Sequence, residues 1–169
     1  MQTMNELTAT HQNSIYCDLS RSFEERVNDL VSRMTLEEKI GQMMQTERNF
    51  ANVNEVIKTY FLGSILSGGG SVPGGNTVAD WVSMYNSMQN AALSTRLKIP
   101  IIYGIDAVHG NNNVYNATIF PHNIGLGCTR DSLLVYRCAK ATASEVLATG
   151  LNWTLYLSSS SPTISMVIL

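Results

Sequence analysis

The chain has 169 residues and a formal net charge of −2 at pH 7, and 14% of its residues are charged. That length supports one domain with a buried core, whereas the slightly negative charge excludes the basic footprint of a nucleic-acid-binding protein. The charged fraction lies well below the roughly 25% of typical soluble domains, which predicts surface meant to be covered. No stretch approaches the roughly 20 apolar residues of a membrane span.

The N-terminal segment, residues 1–20, is polar and aperiodic and is predicted to be a flexible lead. It lacks the apolar core of a signal peptide, so nothing in it directs export. The three cysteines, Cys17, Cys128 and Cys138, show no CxxC spacing and are odd in number. They therefore support neither a zinc site nor a disulfide scaffold.

Two amphipathic helices are predicted after this lead, because Ser22 with Glu25 and Thr35 with Glu38 match the capping-box pattern. Their apolar residues recur at helical spacing. These residues are Phe23, Val27, Leu30, Val31 and Met34 in the first helix and Leu36, Ile40, Met43 and Met44 in the second. Met43 and Met44 are expected to fill the core. The acidic residues expected on a solvated face are Glu24, Glu25, Asp29, Glu37 and Glu38.

A short helix over 55–61 and a strand over 63–67 are predicted next, followed by a long glycine-rich loop over 68–75. The loop has neither the lysine of a P-loop nor the glycine order of a dinucleotide fingerprint, which disfavours a nucleotide site. A loop that gives a bulky ligand backbone room at the carboxyl end of a strand is the better interpretation. Thr77 then caps a helix that leads to the next strand.

That strand, over 101–105, is short and rich in β-branched residues, as is typical of a strand buried on both faces. Asp106 follows directly, at the position where parallel sheets bind ligands. An Asp at a strand end also commonly caps the next turn, and the spacing alone leaves both interpretations open. The same stretch holds other hydrogen-bonding side chains, namely His109, Asn111, Asn112, Asn113, Tyr115 and His122.

His109 and His122 are expected to be structural, because a lone loop histidine more often makes a hydrogen bond than acts as a catalyst. The histidines at positions 11, 109 and 122 form no ligand cluster, so no metal site and no cofactor are predicted. A final helix beginning at Thr129 or Asp131 and ended by Gly150 precedes a third strand over 151–157. The residues thus predict an α/β fold with parallel strands in chain order and the Gly68 and Asp106 loops at one end.

The longest distinctive motif is GIDAVHG followed by NNNVYNATIFPHNIGLG, from Gly104 to Gly127. It closely resembles the motif of plant family 3 glycoside hydrolases, the β-glucosidase and β-D-glucan exohydrolase group. The resemblance extends through RVNDLVSRMTLEEKIGQMMQTER and GSILSGGGSVPGGN upstream and to about Thr154 downstream. It implies a (β/α)8 TIM-like barrel, which typically needs about 250 residues. Residues 21–157 would then be an incomplete N-terminal part of that barrel domain, about three βα units, with 158–169 as a divergent tail.

The resemblance further implies a retaining, exo-acting enzyme whose partner is a β-glucoside or β-glucan oligosaccharide. Asp106 matches the family's sugar-binding Asp, which accepts hydrogen bonds from hydroxyls of the innermost glucosyl unit. The family's nucleophile and acid/base lie in later segments, beyond Leu169, and its DPRWGR segment is absent where this chain reads SSSSPT. The chain is therefore expected to be a fragment.

Of the 13 acidic residues, all except Glu6, Asp18 and Asp106 are expected in or at the ends of helices. Retaining glycosidases need two carboxylates, so the chain is predicted to be inactive by itself. The alternative is a non-catalytic sugar-binding or interaction remnant of the same fold. Related enzymes are expected to be extracellular or in the cell wall, and sequons at Asn116 and Asn152 agree with that, but the missing signal peptide leaves localisation open.

Overall fold

A computed structural model of the chain describes residues 14–156 and 165–168. Six α-helices lie in the described part: α1 (Phe23–Arg33), α2 (Leu36–Gln42), α3 (Val53–Tyr60), α4 (Val78–Leu93), α5 (Asn123–Cys128) and α6 (Ser132–Ala148). The strands there are β1 (Gln45–Glu47), β2 (Ser64–Ser67), β3 (Ile102–Asp106), β4 (Trp153–Tyr156) and β5 (Ser165–Ile168). The first residues, 1–13, and residues 157–164 and 169 lie outside the described part, including most of the predicted lead and much of the predicted tail.

Helix starts are set by local capping, as the sequence predicts. Ser22, Thr35 and Thr77 each accept a hydrogen bond from the backbone three residues on, and the acid at that position bonds back to the cap residue. These three capping boxes satisfy backbone N–H groups that otherwise lack partners at a helix start. Asp131 caps α6, and Gly150, with φ of 87°, follows its C-terminal end.

The described strands form one sheet in the order β1-β2-β3-β4-β5. The first four run parallel, and β5 pairs antiparallel with β4. The prediction of parallel neighbours in chain order is confirmed for β2, β3 and β4. Strand β1 was not predicted, because its three residues, Gln-Thr-Glu, carry no apolar alternation and are held by pairing with β2.

One face of the sheet is covered by helices and holds the core. Ile65, Tyr103 and Ile105 are fully buried there with Ile57 of α3 and Trp81 of α4. Burying side chains of this size contributes about 1.5–3 kcal/mol each. Residues of the opposite face are more accessible, and Ile102 keeps 50% of its surface exposed.

A buried amide anchors α4 to the start of β3. Gln89 Nε2 donates to the carbonyl of Ile101 at 2.7 Å, and the Ile101 N–H donates to Gln89 Oε1 at 3.1 Å. Gln89 is 9% exposed. Such a two-way bond satisfies backbone groups just outside the strand, where sheet pairing does not reach them.

The apolar faces of α1 and α2 are not covered within the described residues. Met43 and Met44 are 80% and 46% exposed, so the prediction that they fill the core is wrong. Phe23 and Leu36 are also exposed, at 82% and 68%. These side chains stay exposed among the described residues, which the amphipathic pattern could not show.

Glu38 departs from the predicted solvated face. It is 4% exposed and pairs with Arg96, whose Nε donates to Glu38 Oε1 at 3.1 Å. Arg96 also donates to the carbonyl of Arg33 at 2.8 Å. The pairing joins the α1–α2 junction to the segment after α4, a contact between residues 58 positions apart. The segment predicted to be a flexible lead differs too, since Ile15–Cys17 forms a short 3-10 helix.

Candidate functional site

The carboxyl ends of the parallel strands carry the loops that the sequence singles out. Arg48 follows β1, the glycine-rich loop follows β2, and Asp106 is the last residue of β3. The predicted placement of the Gly68 loop and Asp106 at one end of the sheet is confirmed by the parallel pairing of β2 and β3. Ligands of parallel α/β folds bind at this edge.

The glycine-rich loop lies against the Asp106 side chain. A Cβ built on Gly68 would stand 3.9 Å from Asp106 Oδ2, whereas one on Gly69 would meet nothing within 4 Å. The loop turns at Gly70, whose φ of 87° lies in the region that favours glycine. The backbone of the loop therefore lies beside the Asp106 carboxylate at Gly68 and borders open space at Gly69.

Two side chains from the segments that follow β1 and β3 hold this loop. Arg48 donates from Nε to Ser71 Oγ at 2.9 Å and from Nη2 to the Val72 carbonyl at 2.7 Å. On the other side the Gly70 N–H donates to Asn113 Oδ1 at 3.1 Å. A loop with three successive glycines is thus held at both flanks by polar contacts.

The carboxylate of Asp106 accepts no hydrogen bond from any residue of the described part of the chain. Its backbone carbonyl accepts one from Asn113 Nδ2 at 2.9 Å, and the side chain is half-buried. The capping interpretation, which the sequence left open, therefore has no hydrogen bond to support it. An ionised carboxylate with unused acceptor positions can receive several donors from a ligand.

The position of Glu47 differs from the prediction for the acidic residues. The sequence placed it in or at the end of a helix, but it ends β1 at the same edge as Asp106 and pairs with Leu66, which pairs with Gly104. Asp106 lies two strands away from Glu47 across the sheet and two residues further along the strand direction. At the usual strand spacing and rise per residue, their Cα atoms are roughly 12 Å apart. Glu47 is exposed, and its carboxylate accepts the N–H of Asn49.

The two histidines of the motif pack on each other. Their ring centroids are 4.3 Å apart, and the His109 carbonyl accepts the Phe120 N–H at 3.0 Å. His122 precedes α5 without capping it by its side chain. Within the described residues no three His, Cys, Asp or Glu side chains are grouped so that they could hold a metal ion.

The three asparagines take separate positions that the sequence could not distinguish. Asn113 is 5% exposed and joins Asp106 to the glycine loop. Asn111 is fully buried, and neither atom of its carboxamide has a partner among the described residues. Of the two sequon asparagines, Asn116 is exposed, whereas Asn152 Oδ1 accepts the Tyr103 N–H at 3.1 Å.

Residues 35–162 match the N-terminal domain of glycosyl hydrolase family 3. The chain belongs to glycosyl hydrolase family 3. The family 3 N-terminal domain is TIM-barrel-like, and the four parallel strands described here form part of such a barrel without closing it. The expected family and fold class are confirmed, whereas the resemblance to plant members in particular stays a prediction.

Several curated family 3 proteins are similar to this chain. It is 39% identical over 145 residues to a lysosomal beta glucosidase of Dictyostelium discoideum, covering 75% of this chain and 18% of that protein. It is 31% identical over 166 residues to a probable beta-glucosidase C of Aspergillus flavus, covering 84% and 25%. The chain therefore spans a quarter or less of these two relatives.

Two solved structures are also similar to this chain. The exo-1,3/1,4-beta-glucanase of a Pseudoalteromonas species is 41% identical and superposes with a TM-score of 0.72, over 83% of this chain and 18% of that one. A beta-N-acetylhexosaminidase of Beutenbergia cavernae, 18% identical with a TM-score of 0.59 over 72% of this chain and 37% of that one, shares the fold. No helix within residues 14–156 is both long and apolar enough to cross a membrane.

Proposed function

We propose that this family 3 segment forms one wall of the glucosyl-binding pocket of a retaining, exo-acting β-glucosidase or β-glucan glucohydrolase. The observation that carries the proposal is the carboxylate of Asp106, half-buried at the carboxyl edge of the sheet and without a hydrogen-bond partner among the described residues. The similar proteins are named as beta-glucosidases and an exo-1,3/1,4-beta-glucanase, which supports a β-glucoside or β-glucan oligosaccharide as the ligand class.

The chemistry of the wall suits a sugar. A carboxylate accepts hydrogen bonds from two vicinal hydroxyls, and such charge-assisted bonds are roughly twice as strong as neutral ones. The glycine-rich loop beside it has no side chain at Gly68 or Gly69, so a ring can approach the backbone closely. Asp106 is therefore proposed as a substrate-binding residue and not as a catalyst.

The 169-residue polypeptide is proposed to bind the sugar without hydrolysing it. Retaining glycosidases hold two carboxyl groups about 5–5.5 Å apart. Glu47 shares the edge with Asp106, but strand geometry puts the Cα atoms of the two residues roughly 12 Å apart, and the Glu47 carboxylate accepts the N–H of Asn49 in its own turn. A missing acid/base group alone removes typically 10²- to 10⁴-fold of rate.

Sugar binding is tested by titrating the ¹⁵N-labelled chain with methyl β-D-glucoside and following amide shifts. We expect the Gly68 to Gly70 amides to shift, and Asp106→Asn to weaken the affinity about 10- to 100-fold, since a hydrogen bond to a charged group contributes about 1.5–3 kcal/mol. Glu47→Gln is the matched control, a carboxylate at the same edge, and should leave the affinity unchanged. Equal affinity in Asp106→Asn and the unsubstituted chain would refute the assignment.

Catalysis is tested separately with an aryl β-glucoside and a β-glucan oligosaccharide. The 169-residue chain should show no turnover above background. A version extended through the further segments of a family 3 enzyme should show turnover, which a non-catalytic sugar-binding remnant would not. Clear turnover by the 169-residue chain, abolished by Asp106→Asn, would instead make Asp106 a catalytic residue.

A further inference from the structure

The glycine-rich loop and Asp106 share one buried connector, the side chain of Asn113. We propose that Asn113 is a positioning residue that sets the gap between the glycine loop and the Asp106 carboxylate, and through that gap the affinity for the sugar. The proposal rests on the proposed function of Asp106. In this role Asn113 acts through the two groups that its side chain contacts, the Asp106 carbonyl and the Gly70 N–H.

Asn113 uses both ends of its carboxamide. Nδ2 donates to the Asp106 carbonyl at 2.9 Å, and Oδ1 accepts the Gly70 N–H at 3.1 Å. Asn113 is 5% exposed, so these bonds are shielded from water. Hydrogen bonds in the protein interior are stronger than hydrogen bonds at a surface. A single side chain therefore links the last residue of β3 to the third residue after β2.

The loop closes on itself through a turn in which the Ser71 N–H donates to the Gly68 carbonyl at 2.9 Å. The Asn113 link fixes the gap because that turn does not tie the loop to the end of β3. Gly68, Gly69 and Gly70 have the largest backbone freedom of any residue type, and Gly69 has no atom within 4 Å of where its Cβ would be. Arg48 holds the far side of the loop at Ser71 and at the Val72 carbonyl. Asn113 holds the near side, where Gly68 faces Asp106 Oδ2 at 3.9 Å from a built Cβ.

Gln89 offers an internal comparison. It makes the same two-way amide bond, to the N–H and carbonyl of Ile101, but at the amino end of β3. Both side chains are largely buried, at 9% for Gln89 and 5% for Asn113. If both residues are purely structural, truncating either one lowers stability and leaves ligand affinity unchanged. If Asn113 is a positioning residue, truncating Asn113 lowers the affinity and truncating Gln89 does not.

The test measures two quantities on the full 169-residue chain. The first is the dissociation constant for methyl β-D-glucoside, from amide shifts. The second is the hydrogen-exchange protection of the Gly70 amide. The variants are Asn113→Ala and Gln89→Ala, with thermal unfolding recorded for both.

We expect Asn113→Ala to weaken binding about tenfold and to remove the protection of Gly70, since the loop regains its freedom. Gln89→Ala should lower the unfolding temperature and keep the dissociation constant within about twofold. Asn113→Leu, which keeps most of the side-chain volume but neither hydrogen bond, should give the same loss of affinity and of Gly70 protection. It also serves if Asn113→Ala fails to fold.

Unchanged Gly70 protection in Asn113→Ala would overturn the proposal, as would unchanged affinity, or an equal loss of affinity in Gln89→Ala. A chain that binds no glucoside at all would refute the proposed function of Asp106 and with it the effect on affinity. The Gly70 exchange would still show in that case whether Asn113 holds the loop. The two failures are therefore distinguishable.

Discussion

The indole of Trp153 lies directly over Gly104, on the neighbouring strand and in the pairing position opposite it. A Cβ on Gly104 would stand 1.9 Å from Cε3 of Trp153, far inside contact distance. Gly104 lies two residues before Asp106, on the same face of the sheet. A glycine in β3 is thus required by a side chain of β4.

We expect Gly104→Ala to destabilise the chain by about 1–3 kcal/mol, as overpacking of a filled site does. The free energy of unfolding in urea, followed by the combined fluorescence of Trp81 and Trp153, measures it. Gly69→Ala is the control, since its Cβ would meet nothing within 4 Å, and it should change stability by less than about 0.5 kcal/mol. Equal stability of the two variants would mean that Trp153 moves away from Gly104 at little cost.

The Glu38–Arg96 pair should be sensitive to loss of the arginine. Arg96→Ala leaves the Glu38 carboxylate, 5% exposed, without its cation and should cost about 2–4 kcal/mol. Adding Glu38→Gln should recover part of that loss, because an amide is cheaper to bury than a charge. Arg21→Ala, which breaks an exposed pair with Asp18 at 3.6 Å, is the control and should be nearly neutral. A double variant less stable than Arg96→Ala would contradict this account.

Tyr103 should make stability fall in alkaline solution. Burial raises its pKa from 10.0 to about 12, against a smaller opposite effect of the hydrogen bond between its hydroxyl and that of Ser67. The unfolded chain therefore loses the phenolic proton first, so the contribution is intact below pH 10 and declines as pH rises toward 12. The decline should amount to about 2–3 kcal/mol. Unfolding free energies between pH 9 and pH 12 test it. Tyr103→Phe should remove this part of the decline and leave the part due to Tyr16, whose pKa burial also raises to about 12.

The exposed apolar faces of α1 and α2 should make the isolated chain associate as its concentration rises, because uncovered apolar patches of this kind drive association. Light scattering during size-exclusion chromatography measures this. Phe23→Ser with Met43→Gln should reduce association without lowering stability, since both residues are more than three quarters exposed. Ile57→Ser, at a fully buried position, should destabilise instead. A monodisperse monomer at high concentration would argue against these faces as association surfaces.

Much of the local structure could be predicted from the sequence. The capping boxes at Ser22, Thr35 and Thr77 form between residues three positions apart, so short-range hydrogen bonding decides where those helices begin. The strand that ends at Asp106 is predicted by its run of apolar, β-branched residues. Its carboxyl end is the edge where parallel folds place ligands, which is why Asp106 could be singled out.

Other features depend on partners distant in the chain and therefore could not be predicted. Strand β1 exists because it pairs with β2, and that pairing also moved Glu47 to the edge of the sheet. Glu38 is buried because Arg96 reaches it from 58 residues away, whereas Met43 stays exposed because no described element covers its face.

The sequence by itself determined the family, the parallel order of β2 to β4, and Asp106 as the candidate sugar contact. Only the tertiary structure decided that the Asp106 carboxylate is unpaired among the described residues and that Asn113, not Asn111 or Asn112, joins it to the glycine loop. The physical reason is that three consecutive asparagines are the same residue type at adjacent positions, so the sequence alone does not distinguish their roles. What separates them is the direction that each side chain takes once two strands that are distant in the chain lie side by side.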